Sequence, residues 1–226
     1  RLLYNSFLQA IIFFIFYHKK EKYRHKSYRF SAMIGERRKR DPNSFKKEED
    51  NMKMDATVCF SGYREEKFPF SLRDGNAQYE QLKKDLLSAV LEAVEEGYGD
   101  FYTGACYGFD ILAGEAVLQA RDRYGLPIRL LSVIPFENQA QLWSEHWRDR
   151  YFFMLERSDQ VITLQAHYTR GCYQRRNRYM VERSRLLICY HTGRSGGTGN
   201  TVKEAIQKGL YVVNLCKDIF IEEPSF

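Results

Sequence analysis

The sequence predicts an α/β chain: a doubly wound, mainly parallel sheet of about six strands with helices on both faces. Two observations predict it. Short β-rich apolar runs alternate six times with segments whose apolar residues recur every three or four positions, the pattern of a parallel sheet wrapped by helices. Three of those runs also close on glycine-rich turns that lead into a helix, at Ser61-Gly62, Gly104 to Gly108 and Gly193 to Gly199. Glycine lets backbone approach a ligand closely, and the free N–H groups of a helix start attract anions.

The strands and helices follow in order. Ala56 to Phe60 is the first strand. Tyr79, Leu82, Leu86, Val90 and Ala93 mark an amphipathic helix that starts near Asp74 or Asn76 and stops at Gly97. Phe101-Tyr102-Thr103 is a short second strand. A helix with a small, flat apolar face (Ala113, Ala116, Val117, Ala120) runs from Phe109 to Tyr124. Ile128 to Ile134 is nearly all apolar, as a buried parallel strand is. The pattern then predicts a helix from Asn138 to Glu156, with Leu142, Trp143, Trp147 and Tyr151 on its core side and His146 facing solvent without a partner. Gln160 to Leu164 is strand four, Gln174 to Arg183 a helix and Leu186 to Tyr190 strand five. The last long helix and strand six, Tyr211 to Leu215, complete the chain. No internal repeat or long linker interrupts residues 52–226, which read as one domain.

The first 51 residues differ in kind. They hold 13 Lys and Arg against six Asp and Glu, whereas residues 52–226 hold 22 against 23, so the net charge of +6 belongs to the leading segment. A near-neutral body argues against bulk nucleic-acid affinity. The apolar run from Leu8 to Tyr17 falls short of the ~20 residues a membrane span needs, and it lacks the small-residue cleavage site of a signal peptide. Membrane is therefore not an expected partner. Residues 18–50 have no clean period and read as loop or disorder. Lys46 to Asp50 would be encoded by a purine run just ahead of Met52, as a bacterial ribosome-binding site is. Residues 1–51 are thus expected to be a non-domain extension of translated upstream sequence, with a basic or membrane-touching tail as the competing reading.

Five scattered cysteines form no C-x-x-C pair, and Cys59, Cys189 and Cys216 fall in predicted strands. They read as small buried apolar residues in a reducing, cytoplasmic compartment, and no structural zinc or other cofactor is expected. There is no G-x-x-x-x-G-K-[ST], no G-x-G-x-x-G after the first strand and no G-x-S-x-G, which excludes P-loop, standard dinucleotide and esterase-elbow proteins.

Right-handed crossovers bring the carboxyl ends of all strands to one edge, where doubly wound sheets bind ligands. Ser61-Gly62-Tyr63-Arg64, Thr103 to Gly108 and Ser195 to Gly199 then share that edge, with Arg175 to Arg178 opening a helix beside them. Backbone N–H groups, small hydroxyls and guanidiniums suit phosphate. For any one glycine the bland reading is an ordinary turn; for one of the three arginines it is a solvated helix face. Asp110 reads equally as a helix cap or a ribose partner, and Trp143 and Trp147 as core.

The residues Cys59 to Arg64, Gly104 to Asp110, Ile134-Pro135-Phe136 with Gln139 and Trp143, Arg176 to Val181, and Gly196-Gly197-Thr198 with Asn200-Thr201 occur in one order. Together they resemble the YspA/YpsA-like branch of the SLOG superfamily, which groups the DNA-processing protein A fold with the LOG phosphoribohydrolases. The resemblance covers about Thr57 to Leu215. It implies a Rossmann-like domain that binds a nucleotide or nucleotide derivative. Its signatures fall on Ser61, Gly62 and Arg64; on Gly104, Gly108 and Asp110; on Arg176 and Asn177; and on the phosphate turn Gly196, Gly197 and Thr198. Two departures stand out. Tyr63 occupies a place where the branch often has His. The LOG pattern G-G-x-G-T-x-x-E, laid on Gly196, puts Asn200 at Thr and Lys203 at Glu, with Glu204 one residue late and rotated by about 100°.

The expected function is therefore a sensor or regulatory module for a small nucleotide-like ligand. Phosphate would sit on the N–H groups of Gly197 to Gly199, Arg64 and Arg176 would be charge partners, Ser61 and Thr198 would contribute hydroxyls, and Asp110 would reach a ribose hydroxyl. The alternative is an N-glycosidic hydrolase with Asp110 or Glu115 as acid or base; a weaker one is single-stranded DNA binding. Helices with small apolar faces permit a homo-oligomer.

Overall fold

The computed structural model describes residues 57–216. The expectations for residues 1–51 lie outside that range. Six strands form one parallel sheet: β1 (Thr57–Ser61), β2 (Asp100–Thr103), β3 (Arg129–Ile134), β4 (Gln160–Thr163), β5 (Leu186–Cys189) and β6 (Tyr211–Asn214). Five helices connect them: α1 (Ala77–Glu95), α2 (Phe109–Tyr124), α3 (Glu145–Arg157), α4 (Cys172–Val181) and α5 (Gly197–Gln207). The strand order is β4-β3-β2-β1-β5-β6. The chain steps outward from β1 to β4, then crosses back to place β5 on the other side of β1. Val58 pairs with Leu186 across that junction, and Phe60 with Ile188.

This path decides which helix covers which face. The outward steps put α1, α2 and α3 on one side; the return puts α4 and α5 on the other. Val58 and Phe60 of β1 join Phe101, Leu130, Leu186 and Ile188 in the first core layer, with Leu82, Leu86 and Val90 from α1 and Met154 from α3. Cys59 of β1 faces the second layer, with Val133, Leu187, Met180, Val202 and Ala205. The period-2 alternation of a strand buried on both faces accounts for both sets.

The α1 pattern holds throughout: Tyr79, Leu82, Leu86, Val90 and Ala93 are all buried. Asn76, not Asp74, is the cap, its Oδ1 accepting from the backbone N–H of Gln78 and Tyr79, both at 3.0 Å. All five cysteines are buried thiols, although Cys216 lies past the end of β6.

The segment after β3 departs from expectation. The helix begins at Glu145, not near Asn138, and Leu142 is 94% exposed rather than on the core side. Between Phe136 and Trp143 the chain makes successive i→i+3 turns, with Gln139 N–H donating to Phe136, Gln141 to Asn138 and Trp143 to Ala140. Ser144 is extended, which blocks continuation into α3. Gln139 is buried, and its Nε2 donates to the carbonyl of Ala105 at 3.2 Å, so a tertiary bond holds this stretch to the β2 turn. Trp147 is core, as expected, and its Nε1 donates to Glu65 at 2.6 Å. His146 does have a partner: its Nε2 lies 3.3 Å from Nη1 of Arg150. The fourth helix starts two residues earlier than predicted and also ends two earlier, at Val181.

Candidate nucleotide site at the strand-order reversal

Strand order reverses between β1 and β5, so the crevice at their carboxyl ends is where this sheet type receives ligands. A cleft of about 210 Å³ opens there. The β1 turn contributes Tyr63 and Lys67, and the β5 turn contributes Arg194 through Gly199. The first intrahelical bond of α5 runs from the Asn200 N–H to the Gly196 carbonyl at 2.9 Å. The N–H groups of Gly197, Thr198 and Gly199 precede it and belong to the electropositive end of the helix. A Cβ built on Gly196 or Gly197 meets nothing within 4 Å. The cleft thus has two cationic side chains, a helix start and open space beside its glycines.

Tertiary bonds fix the walls. Thr198 Oγ1 donates to the Gly62 carbonyl at 2.9 Å, which joins the α5 start to the β1 turn. The Tyr63 hydroxyl lies 2.8 Å from Thr192 Oγ1 and accepts from the Thr192 N–H at 3.0 Å. Nδ1 of His191 is 3.4 Å from the same hydroxyl. Asn214 at the end of β6 accepts from the His191 N–H and donates to its carbonyl at 2.8 Å. The His191 ring therefore stands between the Tyr63 hydroxyl and Gly199, where a Cβ would lie 3.2 Å from its Cε1. Burial holds its pKa below the ordinary histidine value.

The second turn is packed rather than open. A Cβ on Gly104 would lie 1.3 Å from Nη1 of Arg176. That nitrogen donates to Asp110 Oδ2 at 3.0 Å, and both side chains are buried. Burial pushes the Asp110 carboxyl up, against the opposing pull of Arg176. Gly108 has φ +91°, and a Cβ there would lie 2.5 Å from the Tyr63 carbonyl, which accepts from the Phe109 N–H at 2.9 Å. A Cβ on Gly62 would strike the Phe109 ring at 2.2 Å.

The sequence-derived residues consequently sort into groups. Gly196, Gly197 and Thr198 line the cleft, whereas Ser61 is buried and Gly62 half-buried outside that lining, with Thr198 bonded to the Gly62 carbonyl. Gly104, Gly108, Asp110 and Arg176 form an interlocked layer against the far side of the β1 turn. Arg64 faces that side too, its guanidinium carbon 5.3 Å from the Tyr107 ring centre and 5.0 Å from that of Tyr173. Asn177 is drawn away: its Nδ2 donates to Thr201 at 2.8 Å, tying α4 to α5. Asp110 does not cap α2, where Gly108 holds the cap position. The carboxylates considered for hydrolysis are all engaged, Asp110 by Arg176, Glu115 by Arg150 at 2.6 and 2.8 Å, and Glu204 by Arg178 at 2.9 Å. Lys67, Arg194 and His191 were not picked out from sequence. Arg194 lay within the glycine stretch itself, while Lys67 and His191 carry no motif and are recognisable only once the strand order is known.

Among solved structures, the chain is similar to DNA processing protein A from Streptococcus pneumoniae, with a TM-score of 0.49 and 16% identity over 73% of this chain. The match covers 51% of the pneumococcal chain, so this chain spans about half its length. It is also similar to DNA processing protein A from Helicobacter pylori, a structure that concerns single-stranded DNA binding, with a TM-score of 0.48 and 14% identity over 70% of this chain and 64% of that one. In sequence it is 27% identical over 158 residues to a UPF0398 protein of Bacillus cereus strain B4264, covering 67% of this chain and 83% of the relative. A UPF0398 protein of Bacillus thuringiensis strain Al Hakam is 25% identical over 156 residues, covering 67% and 82%. The YspA SLOG family matches residues 58–213, nearly the whole described fold, and the chain belongs to that family.

Proposed function

We propose that this protein binds a phosphorylated nucleotide or nucleotide derivative in the β1–β5 cleft and works as a sensor or regulatory module. One observation carries the reading. At the strand-order reversal, Lys67, Arg194 and the start of α5 converge on an open cleft whose glycines leave room for an anion. Phosphate oxygens on the N–H groups of Gly197 to Gly199 would gain charge-assisted hydrogen bonds, and the two cations would add long-range attraction. Arg64 lies outside the cleft lining, its guanidinium against the Tyr107 and Tyr173 rings. Arg176 and Asp110 support the second turn through their mutual pair. The five buried thiols suit a cytoplasmic setting.

Calorimetry with AMP, ADP-ribose, NAD and inorganic pyrophosphate tests the reading on the full chain. Lys67→Gln and Arg194→Gln are each expected to weaken binding about tenfold, as losing one hydrogen bond to a charged group does. An oligothymidylate belongs in the same series, because the Helicobacter protein named above binds single-stranded DNA. Absence of binding by every phosphorylated compound, or affinity unchanged in both variants, would sink the proposal.

A further inference from the structure

Away from the cleft, along the same rim, three aromatic rings meet where no core requires them. Phe136 follows β3, Tyr168 lies in the loop after β4, and Tyr173 is in the first turn of α4. Their ring centres are 5.6 Å apart for Phe136 and Tyr168, 6.1 Å for Phe136 and Tyr173, and 6.5 Å for Tyr168 and Tyr173. Tyr168 is 62% exposed, so it contributes little to burial. The loop beneath it is nevertheless held in place. Gln165 Nε2 donates to Thr169 Oγ1 at 2.9 Å, and Arg175 donates to both Gln165 and Thr169. Residues 160–181 contain four arginines and no Asp or Glu. Arg64 connects this cluster to the cleft: its guanidinium lies over Tyr173, while its neighbour Tyr63 lines the phosphate side.

We propose that Phe136, Tyr168 and Tyr173 form a nucleobase seat, and that the ligand is a dinucleotide or nucleoside diphosphate derivative laid across the rim. This rests on the cleft reading above and names the ligand class for it. The exposed Tyr168 ring can stack any nucleobase, with the half-buried Phe136 and Tyr173 rings setting its position, and flanking arginine supplies the charge that follows a phosphate chain. The span selects the ligand. From β3 to β5 the order is β3-β2-β1-β5, three strand spacings or about 14 Å. A nucleoside monophosphate has a single ribose between base and phosphorus, too little to occupy both ends. A pyrophosphate bridge running past Arg64 reaches from seat to cleft.

The test is calorimetry on the full chain with NAD, AMP, adenosine, inorganic pyrophosphate and an oligothymidylate, using wild type, Tyr168→Ala and Tyr168→Phe. Far-UV circular dichroism checks the fold of each variant. The expected result is NAD binding tighter than AMP, a roughly tenfold loss for NAD in Tyr168→Ala, near-wild-type affinity in Tyr168→Phe, and pyrophosphate affinity unchanged in both. Equal NAD affinity in wild type and Tyr168→Ala overturns the seat, as does an equal loss for pyrophosphate. Adenosine binding that depends on Tyr168, without any pyrophosphate binding, removes the cleft reading and leaves the seat. Oligothymidylate binding lost in Tyr168→Ala, with no NAD binding, assigns the aromatic cluster to a nucleic-acid strand and overturns the proposal.

Discussion

Arg176 separates a ligand role from a structural one. Its side chain and that of Asp110 are 6% and 8% exposed, and the guanidinium meets the carboxylate at 3.0 Å. Removing one partner of such a pair strands a charge and costs about 3–5 kcal/mol. The Arg176 Nε has no partner of its own, which puts the loss near the lower end, about 3 kcal/mol. For a domain of this size, Arg176→Met should lower Tm by on the order of 10 °C. Differential scanning calorimetry at neutral pH measures it. Two companions sharpen the test. Gly104→Ala places a methyl where Nη1 sits and should reproduce the defect. The double variant Arg176→Met, Asp110→Asn should recover much of it, since the stranded charge is gone. Acid should do the same as Asp110→Asn. Burial already raises the Asp110 pKa, and Arg176 is the main opposing influence, so in Arg176→Met the carboxyl stands further above its unfolded value of roughly 3.9. A group raised on folding stabilises below its unfolded pKa, and that contribution is lost as pH rises through the folded pKa. The deficit of the variant should therefore shrink as pH falls toward about 4. An unchanged Tm with selective loss of ligand binding would refute this reasoning and return Arg176 to the site.

The geometry sets four further outcomes. Gly197→Ala should leave stability within about 0.5 kcal/mol, because its Cβ enters open space, yet weaken pyrophosphate binding in calorimetry; Gly108→Ala, at φ +91° against the Tyr63 carbonyl, should cost about 2 kcal/mol or more in urea unfolding. The His191 ring should titrate below the usual value in NMR; because its pKa is depressed on folding, the stability it contributes is present above the unfolded pKa of roughly 6.5 and lost as pH falls through the folded pKa, and bound pyrophosphate should move that pKa upward. Asn76→Ala should cost about 1 kcal/mol in urea unfolding, since the Asn76 side chain accepts from two N–H groups at the start of α1.

The fold was legible because apolar periodicity is local. Tyr79 to Ala93 and Ile128 to Ile134 announce a helix and a strand from residues a few positions apart. The Asn138–Trp143 segment was misread because its apolar residues have helical spacing, while its conformation is set by a bond from Gln139 to Ala105 in another turn. Local pattern carries no record of such a partner. The same limit applied to Asn177, whose polar side chain beside a ligand signature serves Thr201 on the next helix. Lys67 and Arg194 show the converse, since two ordinary surface cations become a pair only when β5 docks beside β1.

The glycines carry the remaining argument. In sequence the three turns look alike, each offering glycines after a strand. In space they divide by what stands where a Cβ would be. At Gly62 it is the Phe109 ring, at Gly104 the Arg176 guanidinium, and at Gly108 the Tyr63 carbonyl. Those positions are small because the protein packs itself there, and side chains of larger size would dislodge α2 or the buried ion pair. At Gly196 and Gly197 nothing stands in that place, but Gly196 is held at φ +145°, which itself calls for glycine. Neither packing nor backbone conformation gives a reason for Gly197 to lack a side chain, and Ala would favour a helix over Gly by up to about 1 kcal/mol at an interior position. Bareness without a packing cause, beside two cations and a helix start, is what a site requires if something outside the chain must come close to its backbone.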